Sequence, residues 1–328
     1  MAHYLVTGCA GFIASRVIEL LVEAEHTVTG IDNLNNAYDP RLKHWRLDRL
    51  RALDGFRFAQ ADISDRAAME AAWAAMPVAP AAVLNLAARA GVRQSVETPG
   101  IYFDTNVTGT LNLLELCRRH SVNRFLLAST SSLYGAHNAM PYSEDADTGR
   151  PLSPYAASKK AAEALCYSYH HLYGMDIAIP RYFTVYGPAG RPDMSPFRFV
   201  QWISEDRPVT VYGDGTQKRD FTFVDDIARG TIAAALATKG FEVFNLGSDQ
   251  PVQLMSAIHS IERLVGRTAR LEFEPAHRAD VNATWANIDK AKRSLDWSPR
   301  TVFQEGLEQM VRWYRDNAAW ARLIETGA

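Results

Sequence analysis

The chain has 328 residues, 47% of them hydrophobic and 22% charged, with a formal net charge of −2. Such a length exceeds one small core and suits two packed domains. The near-neutral balance excludes a global basic field for nucleic acid or an anionic membrane, and no apolar run approaches the length of a bilayer-spanning helix.

The first expected strand, Tyr4–Thr7, runs into Thr7-Gly8-Cys9-Ala10-Gly11-Phe12-Ile13 and a helix over Phe12–Ala24. The N-terminus lacks a basic segment and reads as a buried strand rather than a signal peptide. Gly8 permits a tight turn. Gly11 lets the backbone approach a pyrophosphate, which then rests at the helix N-terminus beside Phe12 and Ile13. This placement identifies a dinucleotide site rather than a structural turn. The second strand, Thr27–Ile31, ends at Asp32, about twenty positions beyond the glycines. Its carboxylate suits two ribose hydroxyls and repels a 2′-phosphate. Asn33 follows with no arginine beside it, so the expected cofactor is NAD rather than NADP.

The third strand, Arg57–Gln60, leads to Asp62-Ile63, placed to meet adenine, although Asp62 equally suits a helix cap. A helix over Ala67–Met76 precedes the fourth strand, Ala82–Leu86. There Leu86, Ala87 and Ala88 offer a small-residue floor for a flat cofactor. A helix over Phe103–His120 leads to the fifth strand, Arg124–Ala128, and then to Ser129-Thr130-Ser131-Ser132-Leu133-Tyr134. Hydroxyls at a strand's carboxyl end point into the ligand crevice. A helix over Tyr155–Tyr173 opens after Pro154. The spacing of four sets Tyr155 and Lys159 on one face. An ammonium beside a phenol favours phenolate, a base able to take a hydroxyl proton.

A sixth strand, Asp176–Pro180, closes a strand–helix alternation that implies a doubly wound parallel sheet, an α/β Rossmann-type fold. Beyond it Pro and Gly become dense, and the last helix spans roughly Val302–Asp316. The division expected is 1–181 for cofactor and 182–328 for a smaller mixed α/β substrate domain, some of whose segments return to the first. The cysteines at 9, 117 and 166 are widely separated. They form no metal pattern, and a reducing, cytoplasmic setting is expected with no metal.

Together these elements resemble the extended short-chain dehydrogenase/reductase family over nearly the whole chain. The resemblance implies Tyr155 as base, Lys159 as its electrostatic partner, and Thr130 as the hydroxyl that binds the reacting oxygen, with Ser131 or Ser132 sharing that role. Asn106 opens a stretch similar to the one that closes the family's nicotinamide pocket; a helix kink is the alternative. The family commonly dimerises through two helices per subunit, here near Asn106–His120 and Ala157–Tyr173. A homodimer is therefore expected, with Leu113, Leu165 and Tyr169 in that seam or in the monomer core.

Arg181-Tyr182-Phe183-Thr184-Val185-Tyr186-Gly187-Pro188 and Tyr212-Gly213-Asp214-Gly215 onward to Phe221 are similar to the nucleotide-sugar epimerases, dehydratases and decarboxylases. In that branch Arg219 would clamp the diphosphate and Arg278 would add a second phosphate contact. Phe197 and Phe199 would pack near uracil or in the core. Dehydratases and decarboxylases of this type place carboxyl acids where this chain has Ser131 and Ser132, which favours plain epimerisation. Gly190-Arg191-Pro192-Asp193-Met194 resembles the loop of UDP-glucuronate 4-epimerases. There Arg191 would fork onto a sugar carboxylate, helped by Thr184. Arg93 and Ser95 would touch sugar or phosphate. The substrate expected is thus a UDP-sugar, a uronate. The alternatives are a UDP-glucuronate decarboxylase, an epimerase of a neutral UDP-sugar, or a catalytically dead NAD-sensing protein.

Overall fold

The computed structural model describes residues 1–276 and 281–327. Its first portion alternates strands and helices. The strands are β1 (His3–Thr7), β2 (Thr27–Asp32), β3 (Phe56–Gln60), β4 (Ala82–Asn85), β5 (Arg124–Leu127), β6 (Ser129–Thr130) and β7 (Asp176–Tyr182). The helices between them are α1 (Phe12–Glu23), α2 (Arg41–Arg51), α3 (Arg66–Ala74), the short α4 (Gln94–Glu97) and α5 (Pro99–Phe103), α6 (Gly109–Arg119) and α7 (Pro154–Tyr173).

The later strands are β8 (Thr184–Tyr186), β9 (Pro208–Tyr212), β10 (Lys218–Phe223), β11 (Phe241–Leu246), β12 (Pro251–Gln253) and β13 (Arg270–Glu274). The helices there are α8 (Ser195–Ser204), α9 (Val224–Ala237), α10 (Leu254–Val265), α11 (Asp289–Leu295), α12 (Phe303–Asp316) and α13 (Ala318–Ala321).

The main sheet runs β11-β7-β5-β4-β1-β2-β3, with β6 extending β5 along β7, and every pairing in it is parallel. The strand order reverses between β1 and β4. That switch point opens a crevice at the carboxyl ends of the strands. The inner strands β1, β4 and β5 are almost wholly buried because helices cover both faces, whereas the edge strand β3 is only partly covered. Leu5 and Val6, neighbours on β1, are both fully buried, each in a different core cluster. The outer strand β11 comes from beyond residue 181 and completes this sheet beside β7.

A third apolar cluster joins α8, α10 and α12 to β9 and β10. It also takes in Leu42 of α2, with Tyr38 and Trp45 packed against it, so one helix of the first portion is clasped by the last part of the chain. The C-terminal tail tightens this clasp, since Asp39 accepts a hydrogen bond from the Glu325 N–H at 2.8 Å.

The expected Phe103–His120 helix is interrupted. A π-helical turn at 104–108 separates α5 from α6. Such a turn lets one residue leave the regular ladder, and here it buries the Asn106 side chain. No helix among the described residues is long and apolar enough to cross a membrane.

Candidate active site

One cavity sits over the carboxyl ends of β1, β2, β4 and β6 and reaches across to β8 and the loop before α8. At its cofactor end, Gly8 adopts φ +69°, and a β-carbon there would lie 2.8 Å from Ala87 Cα. Only glycine fits this cradle. No side chain caps α1, and no acid lies in its first turn. The amides of that turn therefore face the cavity with positive potential. Gly8, Gly11, Phe12, Ile13, Asp32, Asn33, Asp62, Ile63, Leu86, Ala87 and Ala88 all line the wall, as expected of a dinucleotide site.

The buried Asp32 carboxylate accepts from the Ala10 N–H at 3.1 Å and the Leu34 N–H at 2.8 Å. It thus holds the glycine turn as well as presenting free lone pairs. Asn33 donates to Asp62 at 2.6 Å, and the other Asp62 oxygen takes two donors from Ser64. Burial opposes ionisation of Asp62, but the Ser64 and Asn33 donors outweigh it and hold the carboxyl below its usual range. Asp65, rather than Asp62, caps α3. The glycine cradle, the uncapped helix and the buried acid together fit an NAD molecule.

At the other end, Ser153 caps α7 and Pro154 opens it, which aims Tyr155 and Lys159 into the cavity. Lys159 is 3% exposed, and its ammonium donates to the Ala128 carbonyl at 2.9 Å. Burial pushes it down to about 8, opposed by the Glu163 carboxylate one turn further on. Burial also raises the Tyr155 phenol, while a hydrogen bond with Thr130 and the Arg191 charge pull it the other way. Lys159 thus donates to the strand end that leads into Thr130, and Arg191 adds a positive charge that favours ionisation of Tyr155. Thr130 donates to the Ser132 hydroxyl at 3.2 Å and accepts from its N–H at 3.2 Å, so Thr130, Ser131 and Ser132 form one hydroxyl-rich turn on the wall.

The facing wall brings Thr184 and Arg191 to the same cavity. Arg191 is held by Asp193 and by the Ala90 carbonyl.

Several expected residues lie elsewhere. Asn106 binds the Arg89 backbone through both ends of its amide and donates to Ser158, so its side chain braces the wall from behind while Thr105 faces the cavity. Phe197 and Phe199 are 2% and 4% exposed in the core, because α8 turns its apolar face to α10 and α12. The Arg93 guanidinium lies 3.7 Å over the Tyr212 ring, and Arg219 on β10 donates to the Lys218 carbonyl at 2.9 Å; neither lines this cavity. Ser95 is buried and bonds the Val92 carbonyl at 2.6 Å. Arg278 falls outside the described residues. Leu113 and Tyr169 belong to the core beneath α6 and α7, with Leu165 packed against it. Asn35, Tyr38, Lys43 and Met194 line the cavity without having been expected there.

The fold and cavity define a Rossmann-type enzyme with a dinucleotide at one end and a hydroxyl-bearing substrate at the other. The chain belongs to the NAD dependent epimerase/dehydratase family, which matches residues 4–247. It is 52% identical to a UDP-glucuronate 4-epimerase of Thermodesulfobacterium geofontis over 99% of this chain and 100% of that protein. The crystal structure of UDP-glucuronic acid 4-epimerase from Bacillus cereus with UDP-glucuronic acid and NAD is 35% identical, has a TM-score of 0.88, and covers 96% of this chain and 99% of its own. A UDP-glucose 4-epimerase of Thermotoga maritima, solved with UDP-glucose, matches at 30% identity and a TM-score of 0.88, covering 96% of this chain and 99% of its own.

Proposed function

We propose that this protein is an NAD-dependent epimerase that interconverts UDP-glucuronate and UDP-galacturonate at C4 through a 4-keto sugar. The observation that carries the reading is Arg191 on the same cavity wall as Tyr155 and Thr130, with serines, not carboxyl acids, at 131 and 132. A planar fork suits a sugar carboxylate. Hydroxyls serve a proton transfer at O4 but give no acid for expelling water.

In this reading, the glycine turn, the α1 amides and Asp32 hold NAD. Bound there, the nicotinamide cofactor would supply reversible hydride transfer at the sugar C4. Tyr155 takes the O4 proton and gives it back, Thr130 orients that oxygen, and Lys159 holds charge beneath them. Arg191 and Thr184 hold the sugar carboxylate and Ser131 or Ser132 shares the role of Thr130, while Arg219 and Arg278 would clamp the nucleotide diphosphate and Arg93 would touch sugar or phosphate as the keto sugar turns over. Residues 1–181 would serve the cofactor and 182–328 most of the sugar nucleotide.

The exposed apolar Leu111 of α6, with Leu172 and Tyr173 of α7, supports a homodimer through these helices, which light scattering would test. Free, buried cysteines at 9, 117 and 166 are consistent with a cytoplasmic setting.

The deciding experiment is incubation of the purified protein with UDP-glucuronate and no added cofactor, read by NMR of the sugar ring protons. UDP-galacturonate is the expected product. A UDP-pentose with carbon dioxide would make the protein a decarboxylase. Turnover of UDP-glucose alone would make it an epimerase of neutral sugars.

A further inference from the structure

Arg46 of α2 is 2% exposed and forms no ion pair with a carboxylate among the described residues. A buried guanidinium is retained only where its donors are well used. Here they reach three separate segments. One terminal nitrogen donates to the Ala10 carbonyl at 3.0 Å and the Tyr38 hydroxyl at 2.9 Å. The other donates to the Ala189 carbonyl at 2.6 Å and the Gly190 carbonyl at 3.3 Å. Its Nε is buried without a partner, so the fork is set by these oxygens alone.

Ala10 belongs to the glycine turn, and Ala189 and Gly190 immediately precede Arg191. Ala189 sits at φ +51°, a left-handed conformation that a residue with a β-carbon disfavours. A β-carbon on Gly190 would meet the Gly187 carbonyl at 3.2 Å, so this loop is tightly folded with its carbonyls turned inward. The Tyr38 ring lies 5.8 Å from the Arg46 guanidinium and 5.7 Å from that of Arg191. Arg46 and Arg191 are thus connected twice, through the loop backbone and through one aromatic ring.

We infer that Arg46 is a positioning residue that locks the Arg191 loop to the cofactor turn, and so keeps a 4-keto uronate from losing its carboxylate. This rests on the uronate reading. The keto sugar is a β-keto acid. When the C5–C6 bond stands perpendicular to the C4 carbonyl plane, its electron pair flows into that carbonyl, carbon dioxide departs, and the enolate takes a proton at C5. A fixed Arg191 fork holds the carboxylate out of that geometry. A loop free to shift even about 1 Å does not.

The test uses Arg46→Lys, which keeps the charge but cannot reach four oxygens, and Tyr38→Phe, which deletes one acceptor and keeps the ring. Each is purified with its bound NAD and given UDP-glucuronate, and carbon dioxide is counted against UDP-galacturonate. The expected result is a rise of about 5-fold or more in the decarboxylated fraction for Arg46→Lys, and a smaller rise for Tyr38→Phe. A partition ratio is unmoved by mere loss of folded enzyme.

Calorimetry in a Tyr155→Phe background, where turnover is suppressed, supplies a readout besides activity. Arg46→Lys is expected to weaken UDP-glucuronate about 10-fold while UDP itself binds unchanged. Unchanged partition and unchanged UDP-glucuronate affinity in both variants would overturn the inference. Failure of the parent protein to bind UDP-glucuronate more tightly than UDP-glucose would instead remove the reading on which it rests, and the inference with it.

Discussion

Arg191 and Asp193 form a two-point ion pair on the cavity wall, with Nε to Oδ1 at 3.0 Å and the terminal nitrogen to Oδ2 at 2.5 Å. The pair fixes the plane of the guanidinium and leaves the N–H groups of its other terminal nitrogen to a ligand. It also neutralises part of the charge, so recognition of a carboxylate here depends on fork geometry more than on field. Arg191→Ala is expected to lower kcat/KM for UDP-glucuronate about 10²-fold, the loss of charged hydrogen bonds. Arg191→Lys is expected to fall between, because an ammonium cannot serve Asp193 and a carboxylate as a fork. Steady-state kinetics with UDP-glucuronate decides it, and wild-type values for Arg191→Ala would remove the carboxylate assignment.

Tyr155 meets the Thr130 hydroxyl and the Arg191 charge in the same corner. Tyr155→Phe keeps the ring and removes the proton carrier. Turnover is expected to fall at least ~10²-fold with substrate affinity little changed. Single-turnover kinetics on NAD-loaded protein separates the two, and a near-normal rate would remove Tyr155 as the base.

Lys159 has a testable pH signature in stability. Burial lowers its folded pKa to about 8, below the ordinary 10.5. The folded protein therefore releases this proton before the unfolded chain does, and stability gains with pH between those two values. The burial penalty is fully present below about 8 and is relieved as pH rises through it. Lys159→Met should lose this rise. Urea midpoints measured across the window for both proteins check it, and parallel curves would contradict it.

Asp32 is both a candidate ribose acceptor and a brace for the glycine turn, and Lys43 stands 3.7 Å from it. Asp32→Ala is expected to weaken NAD at least ~10-fold. It also leaves the Lys43 ammonium without its carboxylate, so the preference between cofactors should move toward NADP. Titration of nucleotide-stripped protein with each cofactor measures both effects. An unchanged preference would show that Lys43 does not reach the ribose.

Local spacing made much of this legible in advance. Tyr155 and Lys159 share a helix face because they are four apart, and Asp32 ends the strand after the glycine turn. Arg46 and Lys43 escaped notice because α2 reads as a charged, solvent-facing helix. They are buried because the C-terminal part of the chain folds over that helix, through Leu42, Trp45 and the Asp39–Glu325 hydrogen bond. The partners of Arg46 at 189 and 190 are too distant in sequence for any periodicity to show. Phe199 and Leu113 were ambiguous for the opposite reason. An apolar residue on an amphipathic helix looks the same whether it faces a ligand, a second subunit or the core.

Behind Lys159, Glu163 is clasped by Arg181 in a two-point ion pair at 3.0 and 2.8 Å, with both side chains at most 5% exposed. Ser129 donates to the same carboxylate at 2.6 Å, which fixes the strand end that carries Thr130. Glu163→Gln keeps the shape and deletes the charge, so Arg181 is left buried without its counter-ion. Breaking a buried pair from one side costs about 3–5 kcal/mol, a fall in Tm of roughly 4–7 °C for a chain of this size. The catalytic effect has its own sign. The Glu163 charge raises the Lys159 pKa against burial, so its removal lets Lys159 lose its proton at a lower pH. The alkaline limb of kcat/KM should therefore move down, at temperatures where the variant is still folded. Calorimetric melting and a pH–rate profile read the two effects separately. A lower Tm with an unmoved alkaline limb would make Glu163 a structural partner of Arg181 and nothing more.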